Sequence, residues 1–248
     1  MKSQGRGGLF ICGIVLPLAV FAYFYGPALG IYYATKRAVK DDPSFARVPE
    51  PLPTNNIAQA ASKKLTFFDV EFRVPWNGEV QIKQWQRVVR IQFIDGQFVM
   101  LFDPSSRVDR IKVLAANSPG HDSERVFGRE ALRSNYAFLS AILNVTPRDI
   151  SPWMPRVELV RNSVFLMLKG AELANTQTGL FRFQNERVKG FQRGDLARSP
   201  SVILDAFDDA DREYEIFVGT TKDTKGLVSQ EDINLILSTL KPIQASSR

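Results

Sequence analysis

Cysteine and histidine are almost missing from this chain: its 248 residues include one of each, Cys12 and His121. Cys12 lies inside an apolar run, so the rest of the chain can form no internal disulfide and no thiolate zinc site. A nucleophilic Ser–His–Asp or Cys–His unit would have to use His121. That residue sits in Ser118-Pro119-Gly120-His121-Asp122-Ser123, a turn-forming stretch ahead of a helix, and reads as an exposed loop residue. The phosphate-loop, dinucleotide and nucleophile-elbow patterns G-x-x-x-x-G-K-[ST], G-x-G-x-x-G and G-x-S-x-G do not occur. There is no internal repeat and no low-complexity tract. No cofactor, metal or catalytic residue can be nominated, and the expectation is a protein without enzymatic activity.

Charge is only mildly unbalanced, with 32 basic against 26 acidic residues and a formal net charge of +6. No run of five like charges exists, whereas a dedicated nucleic-acid binder concentrates basic residues on one helix or stripe. No nucleic-acid partner is expected. Within residues 161–198 basic residues dominate, and between 205 and 215 acids dominate: Asp205, Asp208, Asp209, Asp211, Glu213 and Glu215 against Arg212. The acidic stretch fails the EF-hand pattern, because Phe207 and Ala210 interrupt it and the mid-loop glycine is missing. It reads as a solvated hairpin tip. The interleaved Phe181, Arg182, Phe183, Arg187, Lys189, Phe191 and Arg193 could suit stacked RNA bases, but the alternation reads first as a core face and a wet face.

What the chain does have is one long uncharged run, LFICGIVLPLAVFAYFYGPALGIYYA, from Leu9 to Ala34. About 20 apolar residues span a bilayer core. Lys2 and Arg6 precede the run, Lys36, Arg37 and Lys40 follow it, and Tyr23, Tyr25, Tyr32 and Tyr33 crowd its second half, as at a membrane interface. The order read from the sequence is a short basic tail (1–8), a transmembrane helix (9–34), a proline-rich linker (35–64) and one soluble α+β domain (65–248). The anchor is read as uncleaved because the run continues past the small-x-small site at Ala28-Leu29-Gly30. The positive-inside count is close to a tie; a signal anchor with its N-terminus inside places the domain outside the cytoplasm. Gly26 and Gly30 form a G-x-x-x-G spacing that leaves homodimerisation open. Pro43, Pro49, Pro51 and Pro53 read as a semi-rigid spacer holding the domain off the bilayer.

The domain opens on period-two alternation over 66–74, with Phe68, Val70, Phe72 and Val74 on one face. Asp95-Gly96 between RVVRIQFI and QFVMLF predicts a two-residue hairpin pairing Phe93 with Phe98, Ile91 with Met100 and Val89 with Phe102. A short strand is expected near 111–114 and a helix over 124–144. Thr146-Pro147-Arg148-Asp149 is a capped start. The helix after it is expected to bury Trp153, Val157, Val160, Val164, Met167, Leu168 and Ala171, with Lys169 off that face. Strands return at 180–184, 187–192, 201–207 and 213–218. A last helix is capped by Ser229 with Asp232 in the capping-box position, and buries Ile233, Ile236, Leu237 and Leu240. Hairpin-like runs of strands predict an antiparallel sheet with helices packed on one face.

The stretches TPRDISPW (146–153), VKGFQRGD (188–195) and SQEDINLILSTLKP (229–242) resemble parts of uncharacterised bacterial single-span membrane-anchored proteins. The order of elements is also similar in shape to the PsbP-like α/β sandwich. The resemblance implies a single-pass protein of the cell membrane and brings no catalytic residues. The functional expectation is a non-catalytic interaction or assembly protein, bound to the bilayer through residues 9–34 and to another membrane or envelope protein. The alternatives are a tethered lipid- or small-ligand-binding domain and an enzyme with a motif-poor carboxylate site.

Overall fold

The computed structural model describes residues 26–53, 62–106, 109, 111–112, 123–174, 179–221 and 228–243. Eleven strands are described: β1 (Glu50–Pro51), β2 (Lys63–Phe67), β3 (Val70–Val74), β4 (Glu79–Trp85), β5 (Val88–Phe93), β6 (Gln97–Phe102), β7 (Leu180–Gln184), β8 (Lys189–Arg193), β9 (Ser201–Phe207), β10 (Glu213–Thr220) and β11 (Lys241–Pro242). The helices are α1 (26–39), α2 (Ser123–Phe127), α3 (Asn135–Asn144), α4 (Arg156–Leu173) and α5 (Gln230–Thr239).

Eight strands form one sheet in the order β1-β7-β8-β9-β10-β6-β5-β4, and β11-β3-β2 form a second. Every pair is antiparallel except the parallel contact of β1 with β7. The α+β class and the large antiparallel sheet are as the sequence implies, but the helices do not share one face. On one face of the large sheet Ile91, Phe93, Val202, Leu204, Ile216 and Val218 meet the small sheet and α5, whose Ile233, Ile236 and Leu237 complete the core. On the other face Leu139 and Leu143 of α3 and Leu173 of α4 meet Leu180, Phe191 and Phe207. The β7–β9 half of the sheet is covered on both sides because those strands carry apolar residues on both sides.

The β5–β6 hairpin forms where Asp95-Gly96 places it, with a register one residue from the expected one. Ile91 pairs with Val99, Val89 with Leu101 and Val88 with Phe102. The loop has three residues, Ile94-Asp95-Gly96, with Gly96 at φ 93° and its N–H donating to Phe93 O at 3.0 Å. That is a turn closed by a left-handed glycine, a common three-residue hairpin. The apolar pattern cannot choose between the two registers. QFVMLF offers Val99 and Leu101 on one face and Phe98, Met100 and Phe102 on the other, so the turn decides.

Other boundaries move for physical reasons. Residues 66–74 are not one strand, because Phe68 and Asp69 adopt φ 48° and 58° and turn the chain between β2 and β3. The helix expected over 124–144 breaks at Gly128 (φ 83°) into α2, a turn of 3-10 helix at Ala131–Arg133, and α3. Ile111 and Lys112 are helical rather than extended, and residues 113–122, with His121, lie outside the described residues. β4 (EVQIKQW) is a strand with no counterpart in the expectations from sequence. In α4 the buried stripe is Leu159, Ser163, Leu166 and Leu173 with Phe165 and Lys169, not the valine stripe. Trp153 precedes the helix in a turn and is 69% exposed. The closing helix is as read: Ser229 Oγ accepts from Asp232 N, and the Asp232 carboxylate accepts from Ser229 N.

No helix among the described residues is long and apolar enough to cross a membrane, and residues 1–25, which hold most of the expected span, lie outside them. Residues 26–34 belong to α1 and pack on the domain: Ala28 is buried, and Ile31 and Tyr32 lie against the cluster of Phe127, Phe138 and Leu159. Nor do residues 43–53 hang free as a spacer. Phe45 packs over Gly170, where an added Cβ would come within 2.8 Å of its ring. β1 pairs with β7, and Leu52 is part of the core. Prolines favour the extended conformation there, but extended chain with apolar residues between the prolines also adds readily to a sheet edge.

Candidate functional site

Three charged constellations and one open surface stand out. The first is the β9–β10 turn. Asp208 Oδ1 accepts from the N–H groups of Ala210 (3.0 Å) and Arg212 (2.9 Å), and Oδ2 from Arg212 Nε (2.7 Å) and Tyr214 Oη (3.0 Å). Burial, together with the Asp208 carboxylate, raises the Tyr214 hydroxyl well above its ordinary range, so it remains a donor. Asp211 sits in the left-handed region at φ 60°, and its carboxylate accepts from the backbone N–H groups of Asn135 and Tyr136. It caps α3 from a distant hairpin, beside Ser134, whose Oγ accepts from Ala137 N at 3.0 Å.

Next to this turn lies an open cleft of about 640 Å³. Asp69, Asp103, Asp109, Asp211 and Glu213 line it against Lys112 and Arg212. The three non-glycine residues with positive φ among the described residues, Phe68, Asp69 and Asp211, all border it, as strained residues often do at functional sites. Yet among the described residues no three His, Cys, Asp or Glu side chains are placed to hold a metal ion. The Asp208 and Asp211 carboxylates close the turn and cap a helix rather than facing a cation. Replacing Asp211 by alanine should cost about 1–2 kcal/mol, by loss of the cap, while Asp211→Asn should lose less, because asparagine tolerates left-handed backbone. Chemical denaturation of the two variants checks this.

The second constellation is Arg193. Its Nε and Nη2 hold both oxygens of Asp205 at 2.6 and 2.7 Å, Nη1 donates to Glu172 O (2.8 Å) and Oε2 (3.1 Å), and Nη2 reaches Glu215 Oε1 (3.2 Å). One guanidinium thus serves three carboxylates between α4 and the sheet, with the Asp205 side chain fully buried. The geometry is that of a structural clamp, bidentate and donor-saturated.

The third is Lys169, buried on α4. Its ammonium donates to Arg47 O and, at 2.7 Å, to Val145 O, tying the N-terminal segment to the helical layer. Burial lowers its pKa to about 8, against an opposing pull from Asp149. The folded chain therefore releases this proton first, and between about 8 and 10.5 the unfolded chain binds more protons. Stability should rise with pH through that window relative to Lys169→Met. Urea unfolding of both proteins at about pH 7 and about pH 10 checks the sign.

The open surface is the half of the large sheet's second face that no helix covers among the described residues. α3 and α4 cover β7, β8 and β9. Beyond them Val88, Phe98, Met100, Phe102 and Phe217 are only half-buried, and Trp85 is 53% exposed. None of these six belongs to a buried cluster. The aromatic and basic residues of β7 and β8 make no such platform: Phe183 enters the core on one side, and Phe191 stacks on Tyr136 at 5.5 Å on the other.

Lys169, the Arg193 clamp and the open face were all missed from the sequence. One signal was available for the clamp: Asp205 is a lone acid inside the apolar strand SVILDAF. No family model matches the chain, no curated protein matches it and no solved structure matches it, so its function rests on its own geometry.

Proposed function

We propose that the chain is a membrane-anchored, non-catalytic interaction protein whose domain docks another membrane or envelope protein. The observation that carries this reading is the open half-sheet with its half-buried Met and Phe side chains, the kind of surface enriched at protein interfaces. The apolar run supports the anchor. Its last residues enter α1, which is held to the domain by Lys36 Nζ donating to Pro147 O at 2.6 Å. The domain then sits close to the bilayer, outside the cytoplasm if the N-terminus is inside.

The test is site-specific photo-cross-linking of the full chain in its native membranes, with the reactive residue placed in turn at Gln81, Trp153, Met167 and Arg187. A discrete adduct with one membrane or envelope protein is expected from at least one position. Adducts from none would overturn the reading. The lipid-binding alternative draws on one feature, an apolar groove of about 440 Å³ beside α1, lined by Tyr33, Val39, Pro43, Ala46 and Pro147 and rimmed by Lys36, Arg37 and Lys40. Adducts with lipid alone would favour it.

A further inference from the structure

We propose that the cross-strand pair Lys83–Arg90, on the open half of the large sheet, receives a carboxylate from an acidic, partly apolar polypeptide segment of the partner. This deepens the interaction reading above and rests on it.

Lys83 on β4 and Arg90 on β5 are directly opposite in the antiparallel ladder, so both side chains leave the same face within a few ångströms of each other. Like charges in that position destabilise a sheet. Among the described residues neither side chain has a carboxylate partner. Arg90 Nε is buried and has no hydrogen-bond acceptor, a state that carries the desolvation cost of a polar group without its return. The guanidinium is nonetheless held in place, 4.8 Å from the Phe98 ring centre. In the next row Gln81 faces Gln92, adding two amides beside the cations. The one acid on these two strands, Glu79, is already bonded to Lys63.

One anion set between the Lys83 ammonium and the terminal guanidinium nitrogens of Arg90 offsets the repulsion. Two cations with no continuing basic stripe are too few for a nucleic-acid backbone. Around them stand Met100, paired with Arg90, and Phe98, paired with Gln92. This mixture of arginine, methionine and aromatic residues suits a protein partner. β4 is also the terminal strand of the sheet, seven residues long, with Ile82 50% exposed. An extended segment can lie along it and direct alternate side chains at the pair.

The test uses the full chain in detergent micelles and fluorescence anisotropy of a labelled peptide of alternating Glu and Val. A peptide of alternating Lys and Val is the control, and inorganic phosphate is a competitor. The Glu–Val peptide is expected to bind, Arg90→Gln to weaken it about tenfold, and Lys83→Gln to weaken it several-fold. Lys83→Gln should also melt no lower than the wild type, because it removes a repulsion, which a purely structural lysine would not do. Equal binding of the two peptides, or unchanged binding in both variants, would overturn the proposal. So would displacement of the peptide by phosphate with no loss in Lys83→Gln. Cross-links from Trp153, Met167 or Arg187 with none from Gln81 would remove this site and leave the interaction reading standing. Cross-links from no position would remove the reading itself.

Discussion

Gly190→Ala should abolish folding of the domain. Gly190 lies in β8, pairs with Phe183 on β7 and with Ala206 on β9, and thus sits between two strands of the large sheet. An ideal Cβ there would fall 1.9 Å from Asp205 O and 2.8 Å from the tip of the Phe183 ring. The first contact is with backbone, which cannot swing aside as a side chain can. To admit one methyl, β8 and β9 would have to separate where the ladder also presents Asp205 to Arg193. The cost belongs with the rare substitutions beyond about 4–5 kcal/mol, a large part of the stability of an ordinary domain. Gly30→Ala is the matched control. Its Cβ would meet nothing within 4 Å, and in helix α1 the exchange should stabilise by up to about 1 kcal/mol. Soluble yield and circular dichroism of the two variants separate a spatial requirement from a general intolerance of alanine.

Arg193→Ala should cost about 3–5 kcal/mol, close to a 10 °C fall in melting temperature for a domain of this size. The loss is not the worth of the ion pairs themselves, since burying charges offsets much of their attraction. It comes from what remains: the buried Asp205 carboxylate with Glu172 and Glu215 beside it and no guanidinium between them. Two further results should follow. Acidification should restore part of the loss, because an unpaired buried carboxylate takes up a proton. The double variant Arg193→Met/Asp205→Leu should be more stable than Arg193→Ala, because it leaves no orphaned charge at the centre of the clamp. Differential scanning calorimetry of the single and double variants decides both.

These sites differ in how far the chain itself announces them. The last helix was legible because its information is local: Ser229, Asp232 and the spacing of Ile233, Ile236 and Leu237 all lie within one element. The β5–β6 hairpin was legible as a hairpin from Asp95-Gly96. Its register was not, because β6 is apolar on both faces and the choice falls to the left-handed Gly96. The turn at Phe68-Asp69 carries no glycine or asparagine and gives no local sign of its positive φ. For α4, two apolar stripes compete, Val157-Val160-Val164 and Leu159-Leu166-Leu173. What settles the contest is tertiary: Phe45 over Gly170 and Lys169 on two carbonyls, both involving chain that reads locally as linker. The Lys83–Arg90 pair is invisible in sequence for the same reason. It exists only once β4, an unexpected strand, lies beside β5.

The proposed function requires the N-terminal segment to be part of the domain, so that the apolar run joins it without slack. The direct measurement is the distance distribution between spin labels at Arg37→Cys on α1 and Ile94→Cys on the β5–β6 loop, in a Cys12→Ser background, with the full chain in lipid bilayers. Both sites are exposed and tolerate a label. A single narrow distribution is the predicted result. A broad one would mean that α1 and residues 43–53 move independently of the sheet, as a loose tether would, and would contradict the proposed function.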